Sequence, residues 1–312
     1  MVSPCPTPLV AVLLSTYNGQ AYLAEQLQSF KAQTHANWVL FWRDDGSQDG
    51  SAAMVASFAA GLANATHVAE PAGHLGPTGS FMALLRAASS SELDIDAVAF
   101  ADQDDVWLPE KLARGVAALR AESEARPVIY CARQILVDAT LHPIGISNSL
   151  TRKPGFPASL TQNVATGCTV MLNRDAFRRV ARSRPSPASL HDWWCYLLVT
   201  AAGGAFVLDD TPVVLYRQHA TNFVGAPPSR WRRAVAALRR GPALFMSVLR
   251  QNLDALAQQT DLMSPDAAEQ VLRLRRALQG GVMHRLGALG LPGLQRQTWA
   301  ETMLFRLWFL IG

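Results

Sequence analysis

The stretch Val98-Ala99-Phe100-Ala101-Asp102-Gln103-Asp104-Asp105-Val106-Trp107 decides how the rest of the chain is read. Its first four residues are a short apolar run of the kind a buried strand needs, and three carboxylates follow where that strand should end. Open α/β sheets bind their ligands at that edge. Asp102-Gln103-Asp104 is an Asp-x-Asp triplet, and Mg²⁺ and Mn²⁺ are hard cations commonly shared between one or two carboxylates and the phosphates of a substrate. The competing reading is a solvated turn that caps the following helix. Three adjacent acids repel one another unless a cation or solvent relieves them, which favours the cation.

Working outward, the same arrangement recurs upstream. Residues 9–14 form an apolar, partly β-branched run ended by the polar turn Ser15-Thr16-Tyr17-Asn18-Gly19, and residues 38–42 form a second run ended by Arg43-Asp44-Asp45-Gly46-Ser47. Helical spacing of apolar residues predicts a helix between them, and further helices over 51–60 and 80–88. Residues 66–69 read as a short third strand, and 73–79 as a glycine-spaced loop. Alternating strands and helices point to an α/β domain with a mostly parallel central sheet and helices on both faces.

Downstream the pattern is less regular. Strands are expected over 128–137, over 165–172 around Gly167-Cys168, over 206–208 and over 213–216, with helices over 175–182 and 191–201. At His191-Asp192-Trp193-Trp194 an acid stands beside two indoles. Indole faces pack against sugar rings, and apolar surroundings raise a carboxylate toward the range of a general base. The competing reading makes Asp192 a helix cap and the two Trp core. His219, after a strand and near an inferred metal, is a candidate ligand.

Composition bounds the class. With 312 residues, 49% of them hydrophobic, the chain can bury a large core. The net charge of +4 is unevenly placed: from residue 226 onward there are twelve Arg, no Lys and five acids. Pro227-Pro228 reads as a linker, which divides the chain into a catalytic domain over 1–226 and an Arg-rich helical extension over 227–312. Four widely spaced cysteines suggest neither zinc nor a disulfide framework, and a cytoplasmic place is expected. Neither a signal peptide nor a membrane span is read from the sequence. Arginines among apolar residues suit a surface resting on anionic lipid, with packing on the domain or a homodimer contact as the alternative. Nucleic acid is not expected, because the site chemistry points elsewhere. No Gly-x-Gly-x-x-Gly follows the first strand, which disfavours a dinucleotide oxidoreductase.

Taken together, these residues resemble the family 2 nucleotide-sugar glycosyltransferases of the GT-A fold, and within them the bacterial rhamnosyltransferase-like branch. The resemblance runs in order over about residues 9–223: the opening strand and turn to Gly19, Gln26-Leu27-Gln28-Ser29 with Gln33-Thr34, Arg43 to Gly50, Phe100 to Leu112, Gly167-Cys168, His191 to Trp194, and Tyr216-Arg217-Gln218-His219 with Asn222.

The resemblance implies that Thr16, Tyr17, Asn18, Asp44 and Asp45 hold the nucleoside of a UDP- or dTDP-sugar. It implies that Asp102 faces the ribose or metal, that Asp104 holds the Mg²⁺ or Mn²⁺, with Arg217 and His219 assisting, and that Asp192 is the general base. Trp107, Gly167, Cys168, His191, Trp193 and Trp194 would lie on the acceptor and sugar side. A single, inverting addition to a glycan such as O-antigen or capsule, or to a lipid-linked acceptor, is implied. The loop over 73–79 lacks the basic residue that many relatives place near the nucleotide, and the Gln-x-x-Arg-Trp motif of processive synthases is not found. The alternatives are a sugar nucleotidyltransferase, which should carry a basic glycine-rich loop after the first strand, and a non-catalytic sugar- or lipid-binding module, which has no need of Asp104 and Asp192.

Overall fold

The computed structural model describes residues 7–122, 126–219 and 230–312, with the side chains of 230–240 outside that description. The expected linker Pro227-Pro228, the boundary at 226/227 and Asn222 lie outside the described residues.

The chain divides into two compact units, and the division does not follow a single cut near residue 226. The first unit comprises 1–147, 166–182 and 207–217; the second comprises 148–165, 183–206 and 218–312. Two internal stretches therefore group with the C-terminal region.

In the first unit the chain runs β1 (Val10–Thr16), α1 (Gln20–Lys31), β2 (Trp38–Asp44), α2 (Ser51–Ala60), β3 (Ala65–His67), α3 (Gly76–Ser90), β4 (Ala97–Ala101), β5 (Val106–Trp107) and α4 (Lys111–Ala121). It continues through β6 (Val128–Val137), β7 (Pro143–Ile146), β8 (Met171–Asn173) and α5 (Arg174–Arg182), and β9 spans Ala205–Arg217. The sheet order is β3-β2-β1-β4-β8-β6-β9-β5, with β7 paired to β6. It is parallel from β3 to β4 and antiparallel at the β4–β8, β8–β6 and β9–β5 pairings.

This mixed order follows from the residues. Val10–Leu14 of β1 and every residue of β4 are buried, as expected of central strands covered on both sides, whose sequences are apolar without alternation. β6, with ten residues, and β9, with thirteen, are the longest strands, and the direct loop from β6 to β7 permits the antiparallel pairing of that hairpin. The two expected strands over 206–208 and 213–216 are one continuous strand. The expected strand over 165–172 is instead a 3-10 turn over Gly167–Thr169 followed by the short β8. The loop read at 73–79 already turns helical at Gly76, whose φ of +70° lies in the left-handed region that glycine tolerates.

In the second unit, α6 (His191–Ala201) precedes a helical region made of α7 (Arg230–Ala257), α8 (Pro265–Gln279), α9 (Val282–Leu289) and α10 (Trp299–Ile311). α7 is broken at Gly241, with φ +70°, directly before Pro242. Met246, Leu249, Leu253, Val271, Leu274, Phe305 and Phe309 are buried in this region. The ring of Phe245 meets Phe305 and Trp308 at centroid distances of 5.8 and 5.6 Å.

Candidate active site

Parallel register places the ends of three strands side by side. Thr16 of β1 pairs with Asp44 of β2, and Leu14 of β1 with Ala101 of β4. The turn at Ser15–Gly19, the Asp44–Gly50 turn and the acid run after Ala101 therefore share one carboxyl edge of the sheet, where ligands of such sheets bind.

Hydrogen bonds lock the three turns together. Thr16 Oγ1 donates to Asp44 Oδ1 at 2.9 Å, and Asp44 also accepts from Ser47 N and Ser47 Oγ at 2.8 and 2.6 Å. Asn18, held at φ +50°, accepts from Gln48 N at 2.8 Å. Gln103 and Tyr17 exchange two bonds: Tyr17 N donates to Gln103 Oε1 at 2.7 Å, and Gln103 Nε2 donates to Tyr17 O at 2.9 Å. A Cβ at Gly19 would lie 2.3 Å from the Gln103 amide, so this exchange requires glycine beside it. The exposed Tyr17 ring leans on His74, centroid to centroid 4.7 Å.

Helix α1 supplies supports that sequence reading passed over as parts of a motif without a task. Buried Gln26 donates from Nε2 to the Asp102 carbonyl at 2.9 Å. Gln33 donates to Leu108 O at 3.0 Å and accepts from Leu112 N at 3.1 Å, while Thr34 N donates to Pro109 O at 2.9 Å. The acid turn is thus held by α1 and the start of α4 by the turn that follows α1.

Several expected contacts have other tasks. Asp45 is buried; its carboxylate accepts from Leu75 N and Gly76 N, both at 2.8 Å, and is 3.5 Å from Arg43. An acid at a helix start is favourable, so Asp45 anchors the 73–79 loop to α3 instead of presenting itself to a nucleoside. Arg217 is buried, with its guanidinium 4.6 Å from the Tyr22 ring centroid. It donates from Nε to Asp104 O at 2.8 Å, from an Nη to Ala139 O, and to Glu25 Oε2 at 2.7 Å. In place of a diphosphate contact, Arg217 holds the backbone of the acid turn.

The acid run splits by depth. Asp102 and Asp104 are half-exposed, whereas Asp105 is wholly buried. Burial first, then the charges of Asp104 and Asp102, pushes the Asp105 carboxyl well above the carboxylate range; hydrogen bonds from Cys168 and Arg217 N oppose this. Lys111, at the first turn of α4, is also wholly buried, and its ammonium lies 3.5 Å from the Trp107 ring centroid. Burial draws its pKa down to about 7, against the nearby Cys168, Asp105 and Asp102. Burial likewise raises the Cys168 thiol. Among the described residues, Asp102, Asp105 and Cys168 form the one group with donor atoms mutually within 4.8 Å. That set differs from the expected Asp102, Asp104 and His219.

The chemistry of the donors decides what fits. A thiol held protonated is a poor ligand for a hard cation, and the buried end of the group already faces the Lys111 amine, whereas half-exposed carboxylates suit Mg²⁺ or Mn²⁺. Asp105 and Lys111, neither of which the sequence assigns a role, form the floor of the site. Trp107, Gly167 and Cys168 are buried and belong to that floor too; none presents a face to an acceptor.

The other candidate residues lie in the second unit. Asp192, near the start of α6, accepts from Trp193 N at 2.6 Å. Trp193 is partly exposed and donates from Nε1 to Ser159 O at 2.8 Å. Trp194 is fully buried and bonds Ser183 Oγ at 2.8 Å, so it fills the core and is not a sugar platform. His191 is buried, and burial draws its imidazole down to about 3, which keeps it neutral. His219 is half-buried two residues beyond β9.

An α/β sheet carrying acids at the carboxyl end of its fourth strand is the GT-A arrangement, and the solved structures agree on the fold. S. aureus TarS 1-349 in complex with UDP-GlcNAc matches with a TM-score of 0.58 at 14% identity, over 86% of this chain and 71% of that one. The chain belongs to glycosyl transferase family 2, whose model matches residues 11–181, and its activity is glycosyl transfer. It is similar to the dTDP-rhamnosyl transferase RfbG of Shigella flexneri, 26% identical over 226 residues, which are 68% of this chain and 74% of that protein. It is also similar to an uncharacterized glycosyltransferase of Nostoc sp., 34% identical over 224 residues, 68% of this chain and 66% of that protein.

Proposed function

We propose that this chain moves a sugar from a nucleoside diphosphate sugar, UDP- or dTDP-linked, to a hydroxyl of a growing cell-surface glycan or lipid-linked acceptor, with inversion at the anomeric carbon. Rhamnose is the sugar favoured by the name of the Shigella relative. The observation that carries the reading is the split of the acid run: Asp102 and Asp104 half-exposed at the sheet edge, Asp105 buried beneath them with Lys111 and Cys168.

In this reading Asp102 and Asp104 hold a divalent cation, which when bound neutralises charge on the leaving diphosphate. Thr16, Tyr17, Asn18 and Asp44 line the nucleoside end, with the exposed Tyr17 ring available to a base. Asp192 takes the proton of the acceptor hydroxyl as that oxygen forms the new bond to the anomeric carbon. The bond from that carbon to the diphosphate oxygen breaks, and the nucleoside diphosphate leaves with the electron pair. Residues 227–312 are assigned to the membrane side, at the inner face of the cytoplasmic membrane, where lipid-linked acceptors lie.

A thermal-shift series of nucleotide sugars with and without Mn²⁺ tests donor and metal together. Stabilisation by a UDP- or dTDP-sugar that needs Mn²⁺, and is lost in Asp104→Ala, is expected. Equal stabilisation of the wild type without the metal would overturn the metal assignment.

A further inference from the structure

Among the described residues, eleven large hydrophobic side chains are exposed, and six of them fall on α9 and α10. On α9 these are Val282 (56%), Met283 (78%) and Leu286 (47%); on α10 they are Trp299 (71%), Leu307 (52%) and Ile311 (65%). Residues 299, 307 and 311, with half-exposed Met303 between them, recur at intervals of four, so they share one side of the helix.

The opposite side of α10 is apolar as well. Thr302, Phe305, Trp308 and Phe309 are buried there, and the Phe245 ring packs on two of them. A helix of a globular protein needs one apolar stripe to hold its place. α10 has two, and only the inner one is covered within the described unit. The two helices are fixed to each other: Arg285 of α9 donates to the Leu310 carbonyl at 3.2 Å and to the Phe309 carbonyl at 3.5 Å. Arg273 closes the other end of α9 by donating to Gly287 O at 2.8 Å.

Charge identifies the occupant. Between 280 and 312 the one acid is Glu301, and it is engaged in the capping box with Thr298. Arg306 is exposed beside Leu307, and residues 226–312 as a whole carry twelve Arg against five acids. A second copy would bring the same positive charge to its partner, whereas an anionic bilayer complements it. No described helix is long and apolar enough to cross a membrane, so the geometry suits helices lying in the interface with their apolar side down.

We propose that α9 and α10 form a paired interfacial anchor that seats the protein on an anionic phospholipid bilayer through Val282, Met283, Leu286, Trp299, Leu307 and Ile311. The inference deepens the membrane-side assignment of residues 227–312 and rests on it.

The test is co-sedimentation of the full chain with vesicles of phosphatidylglycerol and phosphatidylcholine, against phosphatidylcholine alone. Both substituted positions of a Met283→Glu, Leu307→Glu variant are exposed, so its melting temperature should match the wild type. Wild type is expected to sediment with the anionic vesicles only, with binding weakened by salt, and the double variant to bind about tenfold less. Wild type that binds no vesicle overturns both the anchor and the membrane-side assignment. Wild type and variant binding equally overturns the anchor alone. A wild-type dimer by light scattering that becomes monomeric in the variant, without vesicle binding, would assign the face to self-association instead.

Discussion

The Lys111 ammonium lies 3.5 Å from the centroid of the Trp107 ring, and both side chains are buried under the half-exposed acids of the Asp102–Asp105 turn. Burial draws the Lys111 pKa down to about 7 and leaves its Nζ without a hydrogen-bond partner among the described residues, so the fold disfavours the charged amine. Lys111→Met keeps the stem and removes the amine. Because the folded pKa lies below the unfolded one, the variant should gain stability in urea unfolding, and the gain should grow as pH falls from about 10 toward 7. A lower midpoint for the variant at pH 7 would mean that the contact with Trp107 outweighs the cost of burial.

The Tyr17–Gln103 exchange makes a coupled pair out of two turns far apart in sequence. Gly19→Ala would drive a Cβ into the Gln103 amide, displacing the side chain at a cost of about 0.5 to 1.5 kcal/mol for its lost, solvent-exposed bonds. Gln103→Ala removes the same bonds. The double variant should therefore cost clearly less than the sum of the two singles. Strict additivity in stability and in donor affinity would show that the two positions act separately.

Arg217 is expected to govern the metal without touching it. Its three partners, Asp104 O, Ala139 O and Glu25, match a planar fork, and an ammonium cannot serve them all. Arg217→Lys should weaken Mn²⁺ binding about tenfold, as changes behind metal ligands do, when followed by calorimetry in the presence of the nucleoside diphosphate. A variant that binds Mn²⁺ like wild type would reduce Arg217 to a packing residue.

What was legible in the sequence, and what was not, follows from how each residue is held. The edge of β1, β2 and β4 was readable because buried parallel strands are apolar throughout and stop abruptly at Thr16, Asp44 and Asp102. Lys111 and Gln26 were not, because a polar residue in an amphipathic helix reads as solvent-facing and only the tertiary fold turns it inward; Gln33, in the turn after α1, reads as a surface residue for the same reason. Trp193 and Trp194 are adjacent and chemically alike, yet one is partly exposed and the other is core; α6 rotates successive residues by about 100°, and the sequence does not say which side is inside. The depth difference between Asp104 and Asp105 was hidden for the same reason. The apolar C-terminal stretch was legible as a surface for lipid or for packing, but which of its residues face outward was not, because a helix apolar on both sides is written like a buried one.

His191 gives the protein an acid-sensitive element. Burial draws its pKa to about 3 in the fold, against 6.5 when unfolded. The unfolded chain therefore binds the proton first, so the stabilising contribution is fully present above pH 6.5 and is lost as pH falls toward 3. Between pH 6.5 and 5 the loss is about 2 kcal/mol. A neutral replacement, His191→Gln, should flatten that part of the stability profile in urea titrations at fixed pH values, whatever it costs at neutral pH. An unaltered slope would place the acid sensitivity elsewhere.

Asp192 is the residue on which the proposed chemistry depends most directly. Its Oδ1 accepts from Trp193 N at 2.6 Å at the start of α6, and its carboxylate is the proposed proton acceptor. Asp192→Asn preserves size and can keep the bond from Trp193 N through its amide oxygen, but it cannot take a proton. Transfer should fall by about 10² to 10⁴, the usual contribution of a general base. The fall should appear in kcat, with donor binding by thermal shift unchanged, since the substitution leaves the first unit intact. If kcat stayed near wild type while donor binding was retained, Asp192 would not be the base. If donor binding collapsed as well, its role would be to hold the donor and not the proton.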